Sequence, residues 1–286
     1  MTIARSASRF ALILGLCAAA CDASSGGRAA QPSVDAELRT AIAGTARTEE
    51  ERARDVFRHP RETLEFFGLR DDMHVVELWA PDGFYTAILA PVLRDHGELS
   101  VTYLDPNGEF AARLAQPKAW QMKASRRYIE RLERSPDVYG RVKHLILKPP
   151  NFSFGPDASA DLVLTFRNVH NWVPEGYEDA IFAAAYRALK PRGVFGVVDH
   201  RGAPGMSTKQ IEDTGYIPEE TVVALATKAG FRLAGRSEIN ANPKDTKDYP
   251  EGVWTLPPFY ALKDVDRAKY AAIGESDRMT LKFVKP

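Results

Sequence analysis

Short apolar runs separated by amphipathic stretches set the pattern of this chain. Runs at His74–Trp79, Leu99–Leu104, Val142–Leu147, Asp161–Phe166, Gly193–Asp199, Phe231–Glu238 and Met279–Lys285 are bounded by turn residues and are predicted as strands. Between most of them lie helical patterns. After the first run, Tyr85, Ile88, Leu89, Val92 and Leu93 fall at i, i+3, i+4, i+7 and i+8, with Pro91 expected to kink or shorten the helix. "EDAIFAAAYRALKPRG" reads as a helix with its stop, and "IPEETVVALATKAGF" as another that starts with Pro near its first turn. Residues 34–67 also read as helical, with Thr48 and Glu51 placed for a capping box and Gly68 as the stop. Apolar strands alternating with helices predict a parallel sheet covered on both faces, one doubly wound α/β domain. The stretch between the last two strands is mostly loop-like, so the final strand is not expected to follow a crossover helix.

Composition changes this picture little. The 286 residues carry 38 basic and 38 acidic side chains, which gives no reason to expect nucleic acid or an anionic surface as partner. Arg126 and Arg127 are followed by Glu130 and Glu133 at helical spacing and read as a solvated face.

The N-terminus differs in character. Arg5 and Arg9 precede the apolar run "FALILGLCAAA", giving a signal peptide over 1–20, a tether over 21–33 and a single domain over 34–286. Two cleavage readings stand side by side. "AAAC" places a lipidated Cys21 at a bacterial lipobox, and Ala18 and Ala20 also form an A-x-A site. Either way the expectation is export to the periplasm, with a lipid on Cys21 as the one link to a membrane. Beyond the signal no segment is apolar enough to span a bilayer.

Ligands of doubly wound sheets bind outside the carboxyl ends of the strands. The residues there are "ELWAPDG" (Glu77–Gly83), Asp105, Lys148, "RNVHNW" (Arg167–Trp172) and "DHRG" (Asp199–Gly202). Asp105 is placed either to accept ribose hydroxyls or to cap the turn "DPNG". Asp199, His200 and His170 converge if their strands are neighbours. They would then supply a general base, a partial metal site lacking a fourth ligand, or a carboxylate that pairs with Arg201 or a helix N-terminus while His200 faces solvent. No metal is expected. "YPEGVWTLPPFY" reads either as a lid over an apolar substrate or as a packed loop.

An acid ending strand one, a glycine turn and an acid ending strand two resemble the class I S-adenosylmethionine (SAM) dependent methyltransferases. "VVELWAPDGFYTAILAP", "TFRNVHNW", "GVVDHR" and "DRMTLKFVKP" are similar to a little-characterised bacterial group of predicted, often exported methyltransferases. The resemblance covers roughly residues 50–286. It implies a Rossmann-like seven-stranded fold of order 3-2-1-4-5-7-6, strand seven antiparallel, with SAM as cofactor and a small molecule as substrate.

The implied cofactor-binding residues are Glu77, Trp79, Gly83, Phe84, Asp105 and Asn168, with His170 or His200 as the base. Trp79 and Pro81 stand where the family places glycines, so the loop is an altered one. SAM has no phosphate to cradle; Arg167 or Lys148 would hold its carboxylate, and Trp79 or Trp172 would face its sulfonium. The alternative is an inactive, exported methyltransferase-like protein that binds a small ligand or a protein partner, because SAM is made in the cytoplasm.

Overall fold

The computed structural model describes residues 1–2, 34–80, 82–107 and 119–286. The expected signal peptide, Cys21, the tether and Pro81 lie outside the described residues. Ser33–Pro286 forms one compact unit. No helix among the described residues is long and apolar enough to cross a membrane.

Eight strands form one sheet: β1 His74–Leu78, β2 Glu98–Leu104, β3 Lys143–Leu147, β4 Ala160–Phe166, β5 Leu189–Gly202, β6 Ile217–Pro218, β7 Arg232–Ser237 and β8 Arg278–Val284. Their order is β3-β2-β1-β4-β5-β8-β7, with β6 attached to β5. The five strands β3, β2, β1, β4 and β5 run parallel, and β8 is antiparallel to both its neighbours. All seven expected strands are present, in the expected order. The eighth, β6, is only two residues long, too short to show as a period in sequence. Pro218 belongs to it and precedes the helix Glu219–Lys228 as its cap residue.

Side chains alternate between the two faces because successive Cβ atoms of a strand point oppositely. Val76, Leu78, Val163, Phe195 and Val197 enter one core, while Val75, Leu162, Leu164 and Val198 enter the other. Both faces are therefore buried, which is why these strands read as continuous apolar runs.

Local signals set the helix ends. The Thr48–Glu51 capping box forms in full, worth about 1 kcal/mol. Gly68, at φ 83°, stops the helix Pro60–Phe67 in the left-handed conformation that glycine adopts without a Cβ penalty. The expected helical stretch over 34–67 is divided into four helices, broken last at His59 (φ 38°) just before Pro60.

β5 begins earlier than "LKPRG" suggests, because Leu189 pairs with Ala160 of β4 and the C-terminal segment joins it from Arg192. Arg192 N–H donates to Lys285 O at 2.8 Å, and Lys285 N–H donates to Gly193 O at 3.0 Å. Between β3 and β4 there is no helix; Phe152 and Phe154 bury themselves there instead. In the "YPEGVWTLPPFY" stretch the turn Gly252–Thr255 buries Val253, and Leu256 is buried after it, whereas Phe259 is 55% exposed, so the loop packs through its aliphatic residues.

Candidate functional site

The carboxyl ends of β1, β2, β4 and β5 meet at one end of the sheet, where strand order reverses between β1 and β4. Glu77, the fourth residue of β1, is 2% exposed. Thr86 Oγ1 donates to its carboxylate at 2.6 Å, and Tyr128 OH lies 2.9 Å from the same hydroxyl. Burial pushes the Glu77 carboxyl up to about 7, against the lowering effects of Thr86 and then Arg131.

Trp79 follows in the left-handed conformation, φ 51°. This is the backbone region that glycine adopts without a Cβ penalty. Left-handed backbone costs a non-glycine residue roughly 1–2 kcal/mol. The ring offsets this by packing 6.0 Å from Trp172 and 6.3 Å from Phe152, burial of a kind worth about 3–5 kcal/mol on truncation. Packing wins, and Trp79 N–H is fastened to Thr102 Oγ1 at 3.0 Å.

Asn168 acts on the same loop. Its Nδ2 donates to Leu78 O, Trp79 O and Thr165 Oγ1 at 3.0–3.2 Å. It thus ties the end of β1 to the end of β4. Gly83 is left-handed at φ 66°, and a Cβ there would meet Tyr128 and Arg131 at 3.2 Å. Phe84 is buried, with the guanidiniums of Arg47 and Arg58 at 4.8 and 4.6 Å from its ring centre, and lines the cleft beside Asp82.

Asp105 follows β2, half-buried, and accepts from Asn107 N–H at 2.9 Å. That is the turn-capping arrangement the sequence offered as its alternative to ribose binding. Of the two expected carboxylate holders, Arg167 lines the cleft at the end of β1, whereas Lys148 is exposed at the end of β3. Trp172, 1% exposed, is core: it packs on Phe182 and Trp79. Of Trp79 and Trp172, Trp79 lines both clefts and Trp172 neither.

Asp199 brings His170 and His200 together, as their strands predict. Its two oxygens accept from Val169 N–H (2.7 Å), His170 N–H (3.2 Å), His200 N–H (2.8 Å) and His170 Nδ1 (2.8 Å). The carboxylate therefore both caps the helix Val169–Glu175 and orients the imidazole, leaving His170 Nε2 as the basic nitrogen. His200 does not face solvent. It is buried, 5.0 Å ring to ring from His170, with Nδ1 against Ser276 Oγ. Burial, then His170, Arg167, Arg278 and Arg58, hold its pKa well below the ordinary histidine value. It is a neutral group at physiological pH.

One element was not foreseen in its role. The helix Ala119–Arg134 buries Gln121, Met122, Ser125, Tyr128 and Leu132. Met122 joins the core on one face of the sheet and Tyr128 and Leu132 the other, so the helix lies across the strand ends. Two clefts flank Trp79. One is bounded by Tyr103, Gln121, Ser125 and Tyr128, with room of about 10 Å³; the other, by Arg58, Glu77, Asp82 and Arg167, with room of about 20 Å³. Each admits about one water. The donor set suits an adenosyl amino acid: two carboxylates, a left-handed glycine and an indole face. The space does not: each cleft is far smaller than an adenosyl group.

No family model matches the chain, and no curated protein matches it. Solved structures do. A SAM dependent methyltransferase from Aquifex aeolicus is 15% identical over 82% of this chain and 93% of its own, with a TM-score of 0.52. Phosphoethanolamine N-methyltransferase 2 from Haemonchus contortus, solved in complex with S-adenosyl-L-methionine, is 16% identical over 80% of this chain and 53% of its own, with a TM-score of 0.50. At such identities the likeness is one of architecture, and it agrees with the strand order described above: this chain has the fold of the SAM-dependent methyltransferases.

Proposed function

We propose that the chain is a SAM-dependent methyltransferase acting on a small-molecule substrate. What supports this reading is that Glu77, left-handed Gly83 and Asp105 follow or end β1 and β2, and an Asp199-held His170 follows β4, at the switch-point end of that fold. SAM, when bound, supplies a methyl group on a sulfonium. The chain's own part is positioning. Glu77, once ionised, accepts from an ammonium; Asp105 exchanges its turn contact for ribose hydroxyls; Trp79 presents an electron-rich face to a cation. His170 Nε2 takes a proton from the nucleophilic atom of the substrate, with Asp199 stabilising the imidazolium. Export through residues 1–20, with or without a lipid on Cys21, is a separate proposal that rests on sequence, and it weighs toward the inactive alternative because SAM is made in the cytoplasm.

A second reading has one observation in its favour. Tyr128 and Arg131 fill the space beside Gly83, as a methyltransferase-like domain that has given up its cofactor would allow. Calorimetric titration of the full chain with SAM and S-adenosylhomocysteine separates the two. The enzyme reading expects micromolar binding, about −8 kcal/mol, weakened at least tenfold by Asp105→Ala. Absence of heat at millimolar ligand leaves the inactive binder.

A further inference from the structure

Four arginines converge at the same end of the sheet from distant parts of the chain. Arg54 and Arg58 come from the short helical segments before Pro60, Arg167 from the residue after β4, and Arg278 from the first residue of β8, where it pairs in register with His200. Glu275 is their shared partner, 2.6 Å from Arg54 Nε, 3.0 Å from Arg58 Nε and 2.9 Å from Arg278 Nη2. Arg167 reaches Asp82 at 3.4 Å. In these ion pairs two carboxylates serve four guanidiniums, an excess of two positive charges.

The excess is buried and incompletely bonded. Arg58 is 1% exposed and Arg278 3%. Arg58 Nη2 has no hydrogen-bond partner, nor has the buried Nη2 of Arg54. Arg58 also lines the cleft beside Asp82, Tyr85, Phe166 and Arg167. An unsatisfied buried donor costs about 1–3 kcal/mol, and more when charged. Burial and then the neighbouring Arg167 both work against the Arg58 charge, with Glu275 giving only partial relief. The cleft at Arg58 now has room for about one water; an oxyanion that widened it would accept from the free Arg58 Nη2 and offset part of the excess charge, in the planar geometry guanidinium favours.

We propose that this cluster holds the anionic group of the substrate, a carboxylate or phosphate oxyanion on a small organic acid. That the oxyanion belongs to a substrate rests on the methyltransferase reading; that the cluster binds an oxyanion does not. The neighbourhood supports the assignment. Arg278 pairs in register with His200, and the His200 ring lies edge-on to His170 at 5.0 Å, so the cluster adjoins the Asp199-held imidazole. The same charges argue against a cation there. His170, Asp199 and His200 bring three ligand atoms within 4.8 Å of one another, but both Asp199 oxygens are already engaged by N–H donors and the surrounding guanidiniums repel a metal ion.

The test is calorimetry of the full chain with benzoate and with inorganic phosphate, against chloride at equal ionic strength. Wild type is compared with Arg58→Met and with Arg167→Gln, the second being a milder change outside the buried ion pairs of Glu275. The expected result is saturable binding of at least one oxyanion, weakened at least about tenfold in the variant that folds, equivalent to about 1.4 kcal/mol. Which probe binds tells a carboxylate from a phosphate site. No saturable binding of either, or equal affinity in wild type and variants, overturns the proposal. The titration is repeated with S-adenosylhomocysteine present. Unchanged oxyanion affinity supports a separate substrate site, whereas competition hands the arginines to the cofactor's own carboxylate and overturns the substrate assignment. Oxyanion binding without any binding of S-adenosylhomocysteine keeps the anion site and removes the methyltransferase reading alone.

Discussion

Glu77 is the residue at which burial and chemistry conflict. A carboxylate that accepts from an ammonium must be ionised, yet its surroundings raise its pKa from 4.5 to about 7. The folded protein thus holds this proton more tightly than the unfolded chain does. Its contribution is fully present below pH 4.5 and is lost as pH rises toward 7. The loss is on the order of 3 kcal/mol at alkaline pH. Glu77→Gln keeps an acceptor for Thr86 without the charge. We expect the variant to be more stable than wild type at pH 8 by up to that amount, and equal to it at pH 4, read from urea unfolding midpoints. A constant difference across pH would show that Glu77 is ionised in both states.

At the scale of elements, the helix Ala119–Arg134 borders one of the two clefts beside Trp79. Arg131 pins it: its guanidinium pairs with Glu51 and donates to Asp82 O at 2.7 Å and Ala46 O at 3.1 Å. The buried face carries Gln121, Ser125 and Tyr128 among its apolar residues, so it is more polar than a helix seated on a dry core. If a cofactor enters beside Trp79, these side chains must leave. Hydrogen exchange should therefore rise at least about tenfold within 119–134 on adding S-adenosylhomocysteine, while the core helix Glu178–Ala188 is unchanged. Binding with unaltered exchange in 119–134 would mean that the ligand sits elsewhere.

For the whole molecule, the arginine cluster joins the N-terminal helices to the last strand. Arg54 and Arg58 reach Glu275 across more than 200 residues of chain. Glu275 is held well below the usual carboxylate range: burial opposes this, and Arg58, Arg278 and Arg54 override it. Its pairing therefore stabilises the fold above pH 4.5 and is lost on acidification below it. Glu275→Gln strands buried guanidiniums without a counter-charge, and we expect about 3–5 kcal/mol of destabilisation. Phosphate in the buffer should recover part of that loss, as a shift in melting temperature that chloride does not give.

Sequence by itself determined the sheet. Seven apolar runs and the loop-like stretch before the last of them were enough for the class and for seven of the eight strands, because burial leaves a one-dimensional trace in each of those seven. The fold's strand order came from resemblance, not periodicity. Sequence also placed Glu77, Trp79, Gly83, Asp105, Asn168, His170 and His200 at strand ends, since such positions are set by where each run stops. It left their partners open. That Asp199 both caps a helix and orients His170, that His200 is buried, that Trp172 is core and that Asn168 fastens β1 to β4 depend on distances between strands far apart in the chain. Tyr128, Arg58, Arg278 and Glu275 were missed for the same reason: in sequence each is an ordinary residue of a helix or strand margin. Only the tertiary structure assembles four arginines around one glutamate, because charge excess is a property of a place in space and not of any segment.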